Sequence, residues 1–118
     1  MRYVDGFVIP VPAGNKEAYL ASARKMTSVL KRLGATRVVD CWGTDVPDGK
    51  VTDFRRAVQA QQGESVVFSW VEWPDKATRD AGMAKFMEDP SMAAASDCPF
   101  DAKRMIFGGF TSVVSLPG

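Results

Sequence analysis

Apolar and polar positions alternate with a period of two from Tyr3 to Val11, which predicts a strand. Tyr3, Asp5, Phe7, Ile9 and Val11 share one face, and Val4, Gly6 and Val8 take the other. Pro10 and Pro12 close the strand and predict an edge or exit position, because proline cannot donate to a ladder. Ala13-Gly14-Asn15 reads as a turn, with Asn15 as the N-cap of a helix. From Lys16 the period lengthens. Tyr19, Ala23, Met26, Leu30 and Leu33 recur at spacings of four and three, the single stripe of an amphipathic helix. Lys31 and Arg32 suit its last turn, and Gly34 is placed to end it in the left-handed conformation.

Thr36 to Trp42 predicts a second strand, rich in β-branched residues. A long connection runs from Gly43 to Gly63. Asp45-Val-Pro-Asp-Gly-Lys50 supplies turn chemistry, and Asp53 can cap a short helix through Val58; an extended hairpin arm is the competing reading. Ser65 to Trp73 predicts a third strand with Val66, Phe68 and Trp70 on one face and Val67, Val71 and Trp73 on the other. Pro74 stops it, and Asp75 caps a second helix reaching about Glu88. Ala77, Ala81, Ala84 and Met87 form a small-residue stripe suited to lying close on a sheet. Asp89-Pro90 breaks the helix, Ser91 to Cys98 reads as one helical turn plus loop, and Lys103 to Leu116 predicts a fourth strand. In that strand Gly108-Gly109 allows a bulge or a close backbone approach.

The order β-α-β-β-α-β is the ferredoxin-like plan, an α+β fold with a four-stranded antiparallel sheet and both helices on one face. The pattern has a consequence for assembly. Two helices cover one face of such a sheet, yet the third strand is apolar on both, and strands one and four place aromatic or branched residues on each. A homodimer packed through the open sheet face is therefore expected, burying roughly 1,500 Å² or more in total.

Composition narrows the chemistry. The 118 residues fit one domain, 1–118, with an ordinary balance of 46% apolar and 25% charged residues. A net charge of +1 favours neither nucleic acid nor an anionic membrane surface as a partner, and no apolar run is long enough for a membrane-spanning helix. With no secretory cleavage pattern, cytoplasmic residence is expected. Two cysteines, Cys41 and Cys98, make no disulfide framework and are expected to be buried as small hydrophobes. The chain contains no histidine. Proximal-histidine haem, a Ser-His-Asp triad and histidine-containing zinc or iron sites are thereby excluded. No carboxylate spacing suggests a metal, no glycine-rich segment matches a phosphate loop, and no cofactor is expected.

The densest cluster of candidate chemistry is Cys98-Pro-Phe-Asp-Ala-Lys-Arg-Met-Ile-Phe-Gly-Gly-Phe110, where a turn, a carboxylate and two cations lead into a strand. Asp5 shares an apolar face and needs a partner. The fold makes strands one and four neighbours, so an Asp5–Arg104 ion pair is expected. It either fixes the strand ends or makes Arg104 the anchor of an anionic ligand. Trp42 and Trp70 line the space between sheet and helices, as core or as ligand wall. Arg55-Arg56 reads as a solvated face, and Arg79-Asp80 as a surface pair.

Several segments together resemble a known family. They are Tyr3-Val-Asp-Gly-Phe7, Asp45-Val-Pro-Asp-Gly-Lys50, Phe68-Ser-Trp70, Arg79-Asp80, Asp89-Pro-Ser-Met92, and Pro99-Phe-Asp-Ala-Lys-Arg-Met105 with Gly108-Gly-Phe110. Spanning nearly the whole chain, they resemble the bacterial YbaA-like family, a domain of unknown function in the dimeric α/β-barrel superfamily. The resemblance implies the fold and a dimer rather than a substrate. Cys98 departs from it, since methionine is expected before Pro-Phe-Asp. The functional expectation is a small homodimer binding an apolar molecule with an acidic or phenolic end between sheet and helices, using Asp5, Trp42, Trp70, Lys103 and Arg104. The alternatives are a cofactor-independent monooxygenase-like enzyme, with Arg104 holding the substrate anion and Asp5 or Tyr3 as base, and a structural or regulatory dimer without a ligand.

Overall fold

The computed structural model describes residues 2–89 and 98–117. Two long strands set its frame. β1 (Tyr3–Pro12) and β3 (Glu64–Trp73) pair antiparallel along their whole length, from Tyr3 opposite Trp73 to Pro12 opposite Glu64. β2 (Arg37–Trp42) flanks β3, and β4 (Ile106–Thr111) flanks β1, giving the order β2-β3-β1-β4. Helices α1 (Lys16–Arg32) and α3 (Lys76–Glu88) connect the strands in the ferredoxin-like manner, and a short α2 (Phe54–Ala57) sits in the long connection. The Ser91–Cys98 segment read as a turn plus loop lies, up to residue 97, outside the described residues.

β1 is a central strand rather than an edge. Its prolines are tolerated because β4 pairs with it only as far as Val8, leaving one side of β1 open from there on. β4 is shorter than its apolar run. The Asp101–Arg104 segment is tied into a turn, with the Asp101 carboxylate accepting from the Lys103 amide and the Arg104 amide donating to the Asp101 carbonyl. Beyond Thr111 the ladder ends because β1 begins at Tyr3. Gly108 and Gly109 pair in register with Gly6 and Asp5, so they form no bulge. Gly109 serves close approach instead: a Cβ there would collide with the Tyr3 ring and with Arg79 Nη2.

The core lies between sheet and helices in two clusters. Ile9, Val11, Tyr19 and Val67 form one, with Leu20, Ala23, Trp42, Phe100 and Met105 packed around it. Leu30, Ala35, Val71 and Trp73 form the other, flanked by Tyr3, Val38, Met83 and Phe86. Each fully buried aliphatic or aromatic side chain stabilises the fold by about 1.5–3 kcal/mol. α1 packs Tyr19, Ala23 and Leu30 of the expected stripe into the core and adds Leu20 and Val29, whereas Met26 is 37% exposed. It ends in a Schellman motif: the Ala35 amide bonds the Leu30 carbonyl, the Gly34 amide bonds that of Lys31, and Gly34 takes φ +115°.

α3 does not use its alanine stripe. Ala77, Ala81, Ala84 and Met87 face solvent, with Met87 77% exposed, and the buried position is Gly82. Trp73 explains this. Its ring fills the interior so closely that a Cβ on Gly82 would lie 2.7 Å from the ring, and the larger Met83 and Phe86 supply the apolar contact that alanine cannot. Asp53 and Asp75 cap α2 and α3 as expected, accepting from the Arg56 and Thr78 amides at 2.7 Å. Asn15 does not cap α1; its Nδ2 donates to the Pro99 carbonyl at 3.0 Å. Arg56 is exposed, as a solvated face requires, but Arg55 is half-buried and both are bonded. They staple the long connection, Arg55 donating to the Glu64 and Gln61 carbonyls and Arg56 to those of Gly49 and Lys50. Cys41 and Cys98 are exposed free thiols, not core residues; Cys41 points to the sheet face opposite both clusters.

Candidate functional site: the open sheet face

The strand registers fix which side chains share the face opposite the helices. Across the sheet run three rows: Arg37, Glu72, Val4 and Phe110; Val39, Trp70, Gly6 and Gly108; Cys41, Phe68, Val8 and Ile106. The first row carries opposite charges at one end, and the rest is almost wholly apolar. In the middle row two glycines stand side by side, so the sheet there has a bare backbone floor. The Phe110 ring lies over that floor, 3.7 Å and 3.4 Å from where Cβ atoms of Gly6 and Gly108 would stand.

The result is an apolar cleft of about 690 Å³, walled by Phe68, Trp70, Ile106 and Phe110. Its polar end is formed by Arg2, Glu72, Ser112 and Ser115. Glu72 accepts from Trp70 Nε1 at 2.9 Å, which sets the indole's edge, and lies 3.9 Å from Arg2 Nη1. The long connection reaches the face through α2: Phe54 meets Phe68 edge-on at 6.1 Å, and Phe68 tilts against Trp70 at 5.7 Å. The walls remain open to solvent, with Phe68 44%, Ile106 44% and Phe110 62% exposed.

The five residues expected to share a pocket are dispersed. Trp70 alone lines the cleft. Trp42 is on the helix face beside Tyr19, with Lys16 Nζ 5.2 Å from its ring, and Lys103 is exposed on the turn before β4. Asp5 and Arg104 do not meet. Asp5 is buried on the helix face, where it accepts from Trp73 Nε1 at 3.0 Å and from Arg79 Nε and Nη2 at 3.1 and 2.9 Å. Arg79 thus serves the interior rather than a surface pair alone, although it also donates to Asp80. The β1 register places Asp5 opposite Gly109, five residues beyond Arg104, which is why the expected partner is out of reach.

Arg104 is committed elsewhere. Its guanidinium grips Glu64 through two bonds of 2.7 Å, Asp101 at 3.0 Å and the Gln59 carbonyl at 2.9 Å, so it ties the start of β3, the connection and the approach to β4 together. The Arg104 guanidinium beside Glu64 is the chief cause that holds the Glu64 carboxyl down to about 2 from its ordinary 4.5. A carboxyl depressed in the folded state stabilises the fold above its unfolded value and stops doing so as pH falls through its folded one. The stabilisation from this pair is therefore complete above pH 4.5 and lost on acidification toward pH 2. Arg104→Ala is expected to cost about 2–4 kcal/mol at pH 7, since it leaves a carboxylate whose side chain is 7% exposed with the Gln61 amide but no cation bonded to it. Urea unfolding at pH 7 and pH 3 checks both statements: the gap between parent and variant should shrink in acid, and a constant gap contradicts them.

Three residues of the face were not legible as site residues. Phe54 gave a faint signal, an aromatic following a cap in a polar connection. Phe110 reads as one more strand aromatic until the register sets it over two glycines. Arg2 precedes the first strand and gave none.

Comparison with known proteins agrees with this architecture. A solved structure of SnoaB, a cofactor-independent oxygenase from Streptomyces nogalater, superposes with a TM-score of 0.57 at 16% identity, covering 99% of this chain and 98% of that one. A dimeric ferredoxin-like protein from an uncultured marine organism superposes with a TM-score of 0.55 at 11% identity, covering 92% and 91%. At these identities the likeness is one of fold. In sequence the chain is 56% identical over 115 residues to the uncharacterized protein YbaA of Escherichia coli strain K12, covering 97% of this chain and 98% of that protein, with the same figures for YbaA of Shigella flexneri. The model of the family described as protein of unknown function DUF1428 matches residues 2–102. With that match over most of its length and YbaA at 56% identity, the chain belongs to the DUF1428, YbaA-like family.

Proposed function

We propose that the protein works as a homodimer whose two open sheet faces pack together, holding a small apolar molecule with an anionic or phenolic end in the space between. The observation that carries this reading is the apolar open face with its cleft of about 690 Å³. Large apolar side chains grouped on one exposed face mark an interaction site. A second copy is the occupant because Arg37 and Glu72 sit side by side in one row, so a two-fold mate can meet each charge with its opposite. The dimeric ferredoxin-like protein of similar fold supports the same assembly.

Within the cleft, Trp70 and Phe68 offer stacking walls, the Phe110 ring seated over the Gly6–Gly108 floor offers a further apolar surface, and Arg2 with Ser115 faces its charged end. This moves the ligand from the expected space between sheet and helices, where Tyr19, Trp42, Phe100 and Met105 pack together around Ile9 and Val67. The oxygenase-like alternative loses its assigned anchor and one of its base candidates, since Arg104 and Asp5 are held in ion pairs. The binding reading is therefore preferred. Cytoplasmic residence belongs to it, supported by two free thiols.

Anilinonaphthalene sulfonate, an apolar dye with an anionic end, is a suitable probe. Its fluorescence is expected to saturate, with Trp70→Ala and Arg2→Ala each weakening it about 5–10-fold and Lys103→Ala leaving it unchanged. Non-saturating fluorescence, or equal affinity in all variants, contradicts the site.

A further inference from the structure

The chain does not stop where its sheet does. The Ser112 amide donates to the Arg2 carbonyl at 3.0 Å, the last backbone bond that ties β4's end to the body among the described residues. Beyond it Ser115 Oγ donates locally to the Pro117 carbonyl at 2.7 Å. In this short stretch Val113, Val114 and Leu116 are 81%, 91% and 99% exposed. Three aliphatic side chains within four positions, each almost fully in water, gain nothing in a lone copy.

Their location says what covers them. Ser112 and Ser115 line the cleft, so the segment runs along the rim of the open sheet face, continuous with the proposed dimer interface. It does not fold back onto its own apolar face, although Phe110 and Ile106 are exposed there. A two-fold mate packed on that face brings its own surface across the same rim. We infer that residues 113–117 form an arm that crosses the rim and packs Val113, Val114 and Leu116 against a second copy of this chain, each copy clasping the other. The inference rests on the dimer reading and adds to it a segment outside the sheet.

The test compares the parent with a chain ending at Ser112 and with the full-length variant Val113→Ser, Val114→Ser, Leu116→Ser. Sedimentation velocity over about 0.1–100 μM protomer reads the dimer dissociation constant, which is expected to rise at least about 100-fold in both variants. Should the shortened chain fail to fold, as judged by circular dichroism, the serine variant carries the comparison. A photoreactive benzoylphenylalanine in place of Leu116 should give a covalent dimer on a denaturing gel. A parent dimer with both constants unchanged, or adducts within one chain only, overturns the arm and leaves the dimer standing. A parent that is monomeric throughout overturns both.

Discussion

Arg79→Ala is expected to lower the unfolding free energy by about 3–5 kcal/mol, a large share of the roughly 5–15 kcal/mol a domain of this size has. The reason lies in Asp5. Its side chain is 7% exposed, and it is surrounded by the apolar residues of β1 and β3. Arg79 meets it with two nitrogens, and its guanidinium also lies 5.0 Å from the Tyr3 ring. Removing the arginine leaves the carboxylate one donor, the Trp73 indole, in a site too dry to hold a lone charge. The same pair docks α3 on the sheet, since Arg79 belongs to the helix and Asp5 to the strand. The double variant Asp5→Asn, Arg79→Met is expected to recover most of the loss, because a neutral pair of similar volume carries no desolvated charge. Urea unfolding at one fixed protomer concentration decides it. A single variant within about 0.5 kcal/mol of the parent contradicts the role given to this pair.

Phe68→Glu is expected to separate the proposed dimer while leaving the protomer folded. Phe68 is 44% exposed in one copy, between Phe54 and Trp70 on the open face, so a charge there costs the single chain little. In a two-fold interface the same charge is buried twice, opposite apolar surface. The dissociation constant should rise at least about 1,000-fold, read by light scattering across a dilution series. A variant with the parent's dimer constant places the interface elsewhere.

Much of the fold was legible because its signals are local. Period-two runs, the Asp53 and Asp75 caps and the Gly34 stop each act within a few residues, and chain connectivity then sets the strand order. The apolarity of both faces of β3 was legible for the same reason. The illegible features depend on rotation and register. The alanine stripe of α3 is regular, but alanine buries too little area to compete with Met83 and Phe86, which the helix sets against the Trp73 cluster instead. Asp5 needed a cation, and the sequence offers several. Only the placement of α3 over β1 shows that Arg79 arrives and that Arg104, held by Glu64, does not. The cleft escaped notice because a bare floor is made by two glycines far apart in sequence, Gly6 and Gly108, meeting across a ladder.

Sedimentation equilibrium of the unmodified chain at micromolar concentration tests the central claim most directly. A sheet apolar on both faces predicts a species of twice the 12.9 kDa protomer mass. A 12.9 kDa species persisting to about 100 μM would contradict it, and with it the shared cleft and the clasping arm.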